Sequence, residues 1–230
     1  ETFLNKIDIF NLFTDKEKFY DEKTSILNST EIETDKVKLP FPASKELEGI
    51  IDGADTEDEQ VNKIYKSLKA WEQIMDKAYA EKGLYKSPDR NGDGKVDDNE
   101  KKHKLPGSRM NIRYTRMFDG AFMYASAGHV GIEMNSVPPL MKGTPYVKGE
   151  DGKVTIENNL FGWGIAHEIG HVIDQNKLSY VETTNNILAL LVQTFDDESK
   201  SRLELSGKYE DAYKKVTSGT VGLPSDVFTK

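Results

Sequence analysis

His167-Glu168-Ile169-Gly170-His171 is the stretch that decides how this chain is read. It has the form H-E-x-x-H. On a helix, residues i and i+4 share one face, so both imidazoles can reach one ion. Glu168 follows the first histidine and can lean over the same ion. A zinc ion held this way lowers the pKa of its bound water toward ~7. The carboxylate then takes the water's proton and later passes it to a leaving amine. The spacing therefore implies zinc-assisted hydrolysis of peptide bonds. The surroundings agree. Ile165, Ile169, Val172 and Ile173 supply the apolar stripe of a buried helix. Gly162 and Gly164 suit a loop feeding that helix. Gly170 costs a helix about 1 kcal/mol relative to Ala, a cost that marks a close approach of another backbone or a substrate.

A catalytic zinc takes three protein ligands and leaves a fourth position open. The chain has four histidines, His103, His129, His167 and His171, and no cysteine. None follows His171, so the metzincin pattern with its downstream third histidine is excluded. A carboxylate has to serve. The acids that follow are Asp174, Glu182, Asp196 and Asp197. Asp174 sits three residues after His171 on the same helix, too near to reach round the ion. Glu182 is better placed. Ser179 to Val192 reads as a second helix, with Asn176-Lys177-Leu178-Ser179 as the turn between the two. Helices joined this way pack side by side, and Glu182 in the first turn can face the first helix. The expected ligand set is His167, His171 and Glu182, that of the gluzincins. Asn186 lies four residues beyond Glu182 and can hold a ligand in orientation.

A second constellation runs from Asp89 to Glu100 in the form of the twelve-residue EF-hand loop. Asp89, Asn91 and Asp93 stand at positions 1, 3 and 5, with Gly94 at the turn. Lys95 offers a backbone carbonyl, Asp97 stands at position 9, and Glu100 can be bidentate at position 12. Pro88 before the loop and Leu105-Pro106-Gly107 after it leave little room for flanking helices. Such a loop is expected to hold a structural calcium ion rather than to act as a conformational sensor.

The chain has 230 residues, 37% hydrophobic and 30% charged, with a net charge of −8. That length allows one large domain or two small ones. The negative charge argues against nucleic acid as a partner. No apolar run approaches the ~18 residues of a membrane span. Without cysteine there is no disulfide and no thiol nucleophile. Glu1 opens the chain without Met or a signal peptide, and Asp226 to Lys230 reads as a segment cut mid-course. Both are expected of a catalytic module taken from a larger protein, monomeric by itself.

Three zones follow. In residues 1–55, an N-terminal helix (Phe3 to Phe13) precedes a strand from Glu31 to Leu39, ended by Pro40 and Pro42, and a turn at Asp52-Gly53-Ala54-Asp55. This segment is expected to pack on a catalytic domain spanning 56–230, which contains the calcium loop at 89–100. Residues 57–82 read as a helix with Val61, Ile64, Leu68, Trp71, Ile74, Met75 and Ala78 on one face. Strands are expected at Met110–Arg116, Ala121–Ser126 and His129–Met134, with a hairpin turn at Lys148–Lys153. From Asn158 to Gly219 the pattern is helical. The architecture is then α+β: a small mixed sheet, the zinc helix beneath it, and a mainly helical C-terminal lobe. Trp71 and Trp163 read as packing residues.

Gly162-Trp163-Gly164-Ile165-Ala166-His167-Glu168-Ile169-Gly170-His171, followed by Glu182 and Asn185-Asn186, resembles the enhancin and enhancin-like zinc peptidases. The segment Ala121 to Ile132 is similar to that family's M-Y-A-S…H-x-G stretch. The resemblance implies a zincin-like fold and a secreted or cell-surface bacterial enzyme. It implies a substrate drawn from mucins and other O-glycosylated proteins. It also places His129 and Gly131 near the substrate, with His129–Ile132 as the edge strand on which an extended peptide lies. Tyr124, His129, Tyr146 and Tyr180 are the candidates for stabilising the oxyanion. A generic zinc endopeptidase without a glycan requirement is the nearest alternative. A calcium-stabilised glycan-binding or adhesion module is another, though it has no use for Glu168.

Overall fold

A computed structural model of the chain describes residues 30–117, 120–126, 128–141, 147–148, 154–155, 163–174, 180, 182–194 and 201–219. The expected N-terminal helix, the turn at 176–179, Tyr146, Asp196 and Asp197 lie outside the described residues.

The expected strand from Glu31 to Leu39 is a hairpin. Strands β1 (Ile32–Glu33) and β2 (Val37–Leu39) run antiparallel, with Ile32 opposite Leu39. Thr34 reverses the chain. Its hydroxyl accepts the amides of Lys36 (3.3 Å) and Val37 (3.1 Å), and its own amide donates to the Val37 carbonyl at 2.9 Å. A threonine turn of this kind competes successfully with strand alternation. The Thr34 hydroxyl also bonds Glu72, and Lys36 pairs with Glu72 at 2.6 Å and Asp76 at 3.1 Å. These contacts pin the turn to the long helix described next.

Helix α1 (Ala43–Ile51), which the sequence reading left without an element, follows Pro42. Helix α2 (Glu57–Glu81) begins at a full capping box. The Thr56 hydroxyl accepts the Glu59 amide, and the Glu59 carboxylate accepts the Thr56 amide. Glu57, Asp58 and Glu59 place negative charge at the positive end of the helix dipole. The helix ends at Lys82, where Gly83 takes φ +69°. Its apolar face, including the fully buried Trp71 and Met75, forms one wall of the core.

Strands β3 (Met110–Thr115), β4 (Met123–Ser126) and β5 (His129–Glu133) complete a five-stranded mixed sheet in the order β1-β2-β3-β5-β4. The β2–β3 and β3–β5 pairs are parallel, and β5–β4 is antiparallel. The described part of the N-terminal segment thus supplies two strands of the same sheet. A short helix α3 (Val137–Leu140) follows, and α1 packs on it through Gly49, where a Cβ would lie 2.5 Å from the Pro138 carbonyl oxygen. Strands β6 (Val147–Lys148) and β7 (Val154–Thr155) pair antiparallel, flanking the expected hairpin turn. Helices α4 (Ile165–Ile173), α5 (Thr184–Gln193), α6 (Arg202–Leu205) and α7 (Lys208–Thr217) follow. Ile112, Val130 and Ile132 from the sheet meet Ile165, Ala166 and Ile169 from α4 and Leu188 from α5 in one core. Trp163 is buried with them, as its packing role required.

One buried charge stands apart from the site. Glu46 on α1 is fully buried, and among the described residues neither of its carboxylate oxygens has a hydrogen-bond partner. Burial pushes its pKa well above the ordinary 4.5. A raised folded-state pKa gives stability that is fully present below the unfolded value and lost as pH climbs through the folded one. Glu46→Gln removes this dependence. The melting-temperature difference between Glu46→Gln and wild type therefore widens in the variant's favour as pH rises above the ordinary carboxylate value of 4.5 toward the raised folded-state value. A difference that stays constant over that range refutes the assignment.

Candidate metal centre and cleft

Helix α4 carries His167, Glu168 and His171, and it lies against β4 and β5 on one side and α5 on the other. Gly170 sets the second distance. A Cβ there would lie 2.6 Å from Asn185 Cβ and 2.7 Å from Asn185 Cα. The glycine thus marks the approach of another backbone, not of a substrate. Only because α4 and α5 touch this closely do residues around the start of α5 reach the histidines.

His167, His171 and Glu182 come together. Glu182 Oε2 is 3.1 Å from His167 Nε2, and Glu182 Oε1 is 3.3 Å from His171 Nε2. One ligand atom from each residue falls within 4.8 Å of the others. The imidazoles meet edge to face, with centroids 4.8 Å apart. Glu182 is not in the first turn of a helix, as the sequence reading had it. Helix α5 starts at Thr184, and Glu182 precedes it with φ +64°, the one left-handed residue other than glycine among those described. That conformation lets the side chain turn back toward α4.

Asn186 Oδ1 lies 2.7 Å from His167 Nδ1, and its amide nitrogen donates to the Glu182 carbonyl. With Nδ1–H donating to Asn186, the Nε2 lone pair of His167 is left for an ion. Two imidazole nitrogens and one carboxylate, with a fixed tautomer behind one of them, fit the donor chemistry of zinc. Asn185 entered the sequence analysis only within the family-like stretch, without a role of its own. It is buried, its side-chain nitrogen lies 3.0 Å from His167 Nε2 and 2.8 Å from His171 Nε2, and its oxygen accepts the Asn186 amide at 3.0 Å. Its sequence signal was its place in the Asn185-Asn186 pair of that resemblance.

A cleft of about 680 Å³ opens over this trio. Tyr124, Ala125, Ser126 and Gly128 line it together with Glu168 and Glu182. Burial pushes the Glu168 carboxyl above its ordinary value. The two histidines and a hydrogen bond from the Ala125 amide pull against that shift.

The expected edge strand is corrected. His129–Ile132 is internal, held between β3 and β4, and among the described residues the outer strand on that side of the sheet is β4. The M-Y-A-S stretch, rather than the H-x-G stretch, therefore faces the cleft. His129 stands behind Tyr124: its Nε2 lies 3.2 Å from the Tyr124 hydroxyl and 2.9 Å from an Arg113 nitrogen. Gly131 is buried under the Tyr124 ring, where a Cβ would lie 2.1 Å from Cε1. Both residues shape the cleft wall through Tyr124. Of the oxyanion candidates, Tyr124 lines the cleft, whereas Tyr180 is 78% exposed and does not.

The loop from Asp89 to Glu100 folds around its own amides. Asp89 accepts the amides of Gly92 (2.8 Å) and Gly94 (3.0 Å), Asn91 that of Asp93, and Asp93 that of Lys95. Gly94 takes φ +78° at the turn. The nearly buried Glu100 accepts the amides of Arg90 at 2.9 Å and Asp97 at 3.1 Å, and Asp97 in turn accepts the amide of Glu100 at 2.9 Å. The loop exits into a 3₁₀ turn (Glu100–His103). A bridge between Tyr85 and Lys104 closes its base.

A zincin-like α+β fold with an H-E-x-x-H helix beneath a small mixed sheet defines the class. The sequence model of the peptidase M60 family, enhancin and enhancin-like, matches residues 56–218, well over half of the chain. The chain belongs to that family. No curated protein matches it. Solved structures share the fold. The M60 catalytic domain of Clostridium perfringens ZmpC, in complex with the sialyl T antigen, is 20% identical with a TM-score of 0.59; the match covers 88% of this chain and 33% of that one. A conserved protein of unknown function from Bacillus anthracis is 18% identical with a TM-score of 0.61, over 99% and 38% of the two chains. A Clostridium perfringens ZmpB structure holding two CBM32 domains and the M60 catalytic domain is 20% identical with a TM-score of 0.60, over 93% and 19%. The chain thus spans between 19% and 38% of the lengths of these chains.

Proposed function

We propose that this chain is the catalytic part of a secreted or cell-surface zinc endopeptidase that cuts O-glycosylated, mucin-type proteins. The convergence of His167, His171 and Glu182 beside Glu168, at the floor of an open cleft, carries the reading. A zinc ion bound there supplies Lewis acidity and makes water a nucleophile near neutral pH. The residues of the chain do the rest. The outer strand β4 offers its backbone to an extended peptide, which gives grip without sequence preference. Glu168 accepts a proton from the attacking water and returns it to the leaving amine. Asn186 holds the His167 ring in place throughout. The resemblance to a domain solved with a sialyl T antigen supports a glycosylated substrate. The small residues Ala125, Ser126 and Gly128 leave space in the wall for a bulky side group.

Glu182→Ala tests the ligand set. Wild type should bind close to one zinc per chain, and the variant should lose it on dialysis, measured by elemental analysis. Retention of zinc by the variant moves the third ligand elsewhere.

The loop formed by Asp89, Asn91, Asp93, the Lys95 carbonyl, Asp97 and Glu100 is proposed to hold a calcium ion that stabilises the fold without taking part in the chemistry. An ion binding only the folded state adds about 2.7 kcal/mol at a hundredfold excess over its Kd. Calcium should raise the melting temperature of wild type and leave Asp89→Ala/Glu100→Gln unchanged. Equal responses in the two proteins remove the site.

A further inference from the structure

Glu182 poses a mechanical problem. Its side chain is 64% exposed, it belongs to no helix, and its φ of +64° is a conformation that costs a residue with a Cβ about 1–3 kcal/mol. Such a conformation persists only when its surroundings determine it. Asn186 fixes the Glu182 carbonyl. A second tether lies two residues on. The Thr184 hydroxyl donates to Asp174 Oδ2 at 2.5 Å, and the Thr184 amide donates to the Tyr180 carbonyl at 3.1 Å.

Asp174 is itself held from two sides. It is the residue that ends α4, its amide bonded to the Gly170 carbonyl at 2.9 Å. Its carboxylate pairs with Lys82, the residue that ends α2, and its side chain is only 8% exposed. Lys82 also pairs with Glu81 at 3.0 Å. The ends of α2 and α4 and the start of α5 therefore meet at one carboxylate, on the helix that carries both histidines.

We propose that Asp174, held by Lys82, is a positioning residue for the metal centre, fixing Thr184 and through it the backbone that presents Glu182 to the two histidines. This rests on the zinc-centre reading above. The sequence reading set Asp174 aside as a ligand because it was too close to His171. The same closeness suits it to this role, since it reports the position of the histidine helix to the start of α5.

The test is zinc affinity, measured by chelator competition on the purified chain, with apo melting temperature and far-ultraviolet circular dichroism as controls. Thr184→Val removes the hydroxyl at constant size, and Thr184→Ser keeps it. The Lys82→Met/Asp174→Leu double variant removes the Lys82–Asp174 pair together with the acceptor of the Thr184 hydroxyl, so that neither of these two charges is left buried without the other. Thr184→Val and the double variant should weaken zinc binding ~10–100-fold, the range for groups that orient metal ligands, and Thr184→Ser should bind like wild type. Affinity within ~twofold of wild type in Thr184→Val and the double variant overturns the proposal while leaving the zinc centre intact. Weakened binding in Thr184→Val that Thr184→Ser does not restore, or a loss of apo stability that accounts for it, also overturns it in favour of a purely structural clasp. Failure of wild type to bind zinc overturns the zinc-centre reading itself.

Discussion

Glu168→Gln leaves zinc bound at close to one ion per chain and abolishes hydrolysis. The amide keeps the shape of the carboxylate but cannot accept a proton. A positioned general acid–base is worth ~10²–10⁴ in rate, so the loss should lie in that range or beyond. The Ala125 amide now bonded to the carboxylate can bond the Gln oxygen instead, so the cleft should keep its shape. Zinc content by elemental analysis and turnover of a glycopeptide should be measured on the same preparation. More than a few per cent residual activity assigns the proton transfer to another group. Loss of zinc makes Glu168 part of the metal's support and leaves its role as a base unproven.

The second large effect concerns the substrate. Matched peptides with and without an O-linked glycan on one Ser or Thr should differ in kcat/KM by up to ~10⁴-fold. A site built to bond sugar hydroxyls leaves its own polar groups unpaired when the sugar is missing. Mass spectrometry of the products should place the cut beside the glycosylated residue. His129→Ala should lower turnover of the glycopeptide with zinc still bound, because His129 supports Tyr124 in the cleft wall. Efficient cleavage of the bare peptide at the same bond makes the chain a generic zinc endopeptidase. Binding of the glycopeptide with no product from either peptide favours a glycan-binding module.

Much of this centre could be read along the chain, because helix periodicity alone places His167 and His171 on one face. Elimination among the downstream acids named Glu182, and the i+4 spacing named Asn186. The helix over α2 followed from its apolar face, a local signal. The loop from Asp89 to Glu100, too, is a local pattern whose residues fold around their own amides. Where two segments compete for the same neighbour, the sequence was silent or misleading. It could not show that Thr34 breaks a strand, because the turn is secured by Glu72, 38 residues away. Nor could it show that β5 lies inside the sheet and β4 outside, since strand order is set by packing of both faces and leaves no periodic trace. Glu182 was named as a ligand, but its left-handed backbone and its place before α5 came only with the structure. The meeting of Lys82, Asp174 and Thr184 is of the same kind, three ordinary surface-type residues made into one contact by the convergence of three helix ends. The sequence by itself determined which residues are available for the proposed chemistry, because metal ligands and a general base must be particular residue types at particular spacings. Only the tertiary structure decided the geometry that presents them, because it depends on which elements lie side by side.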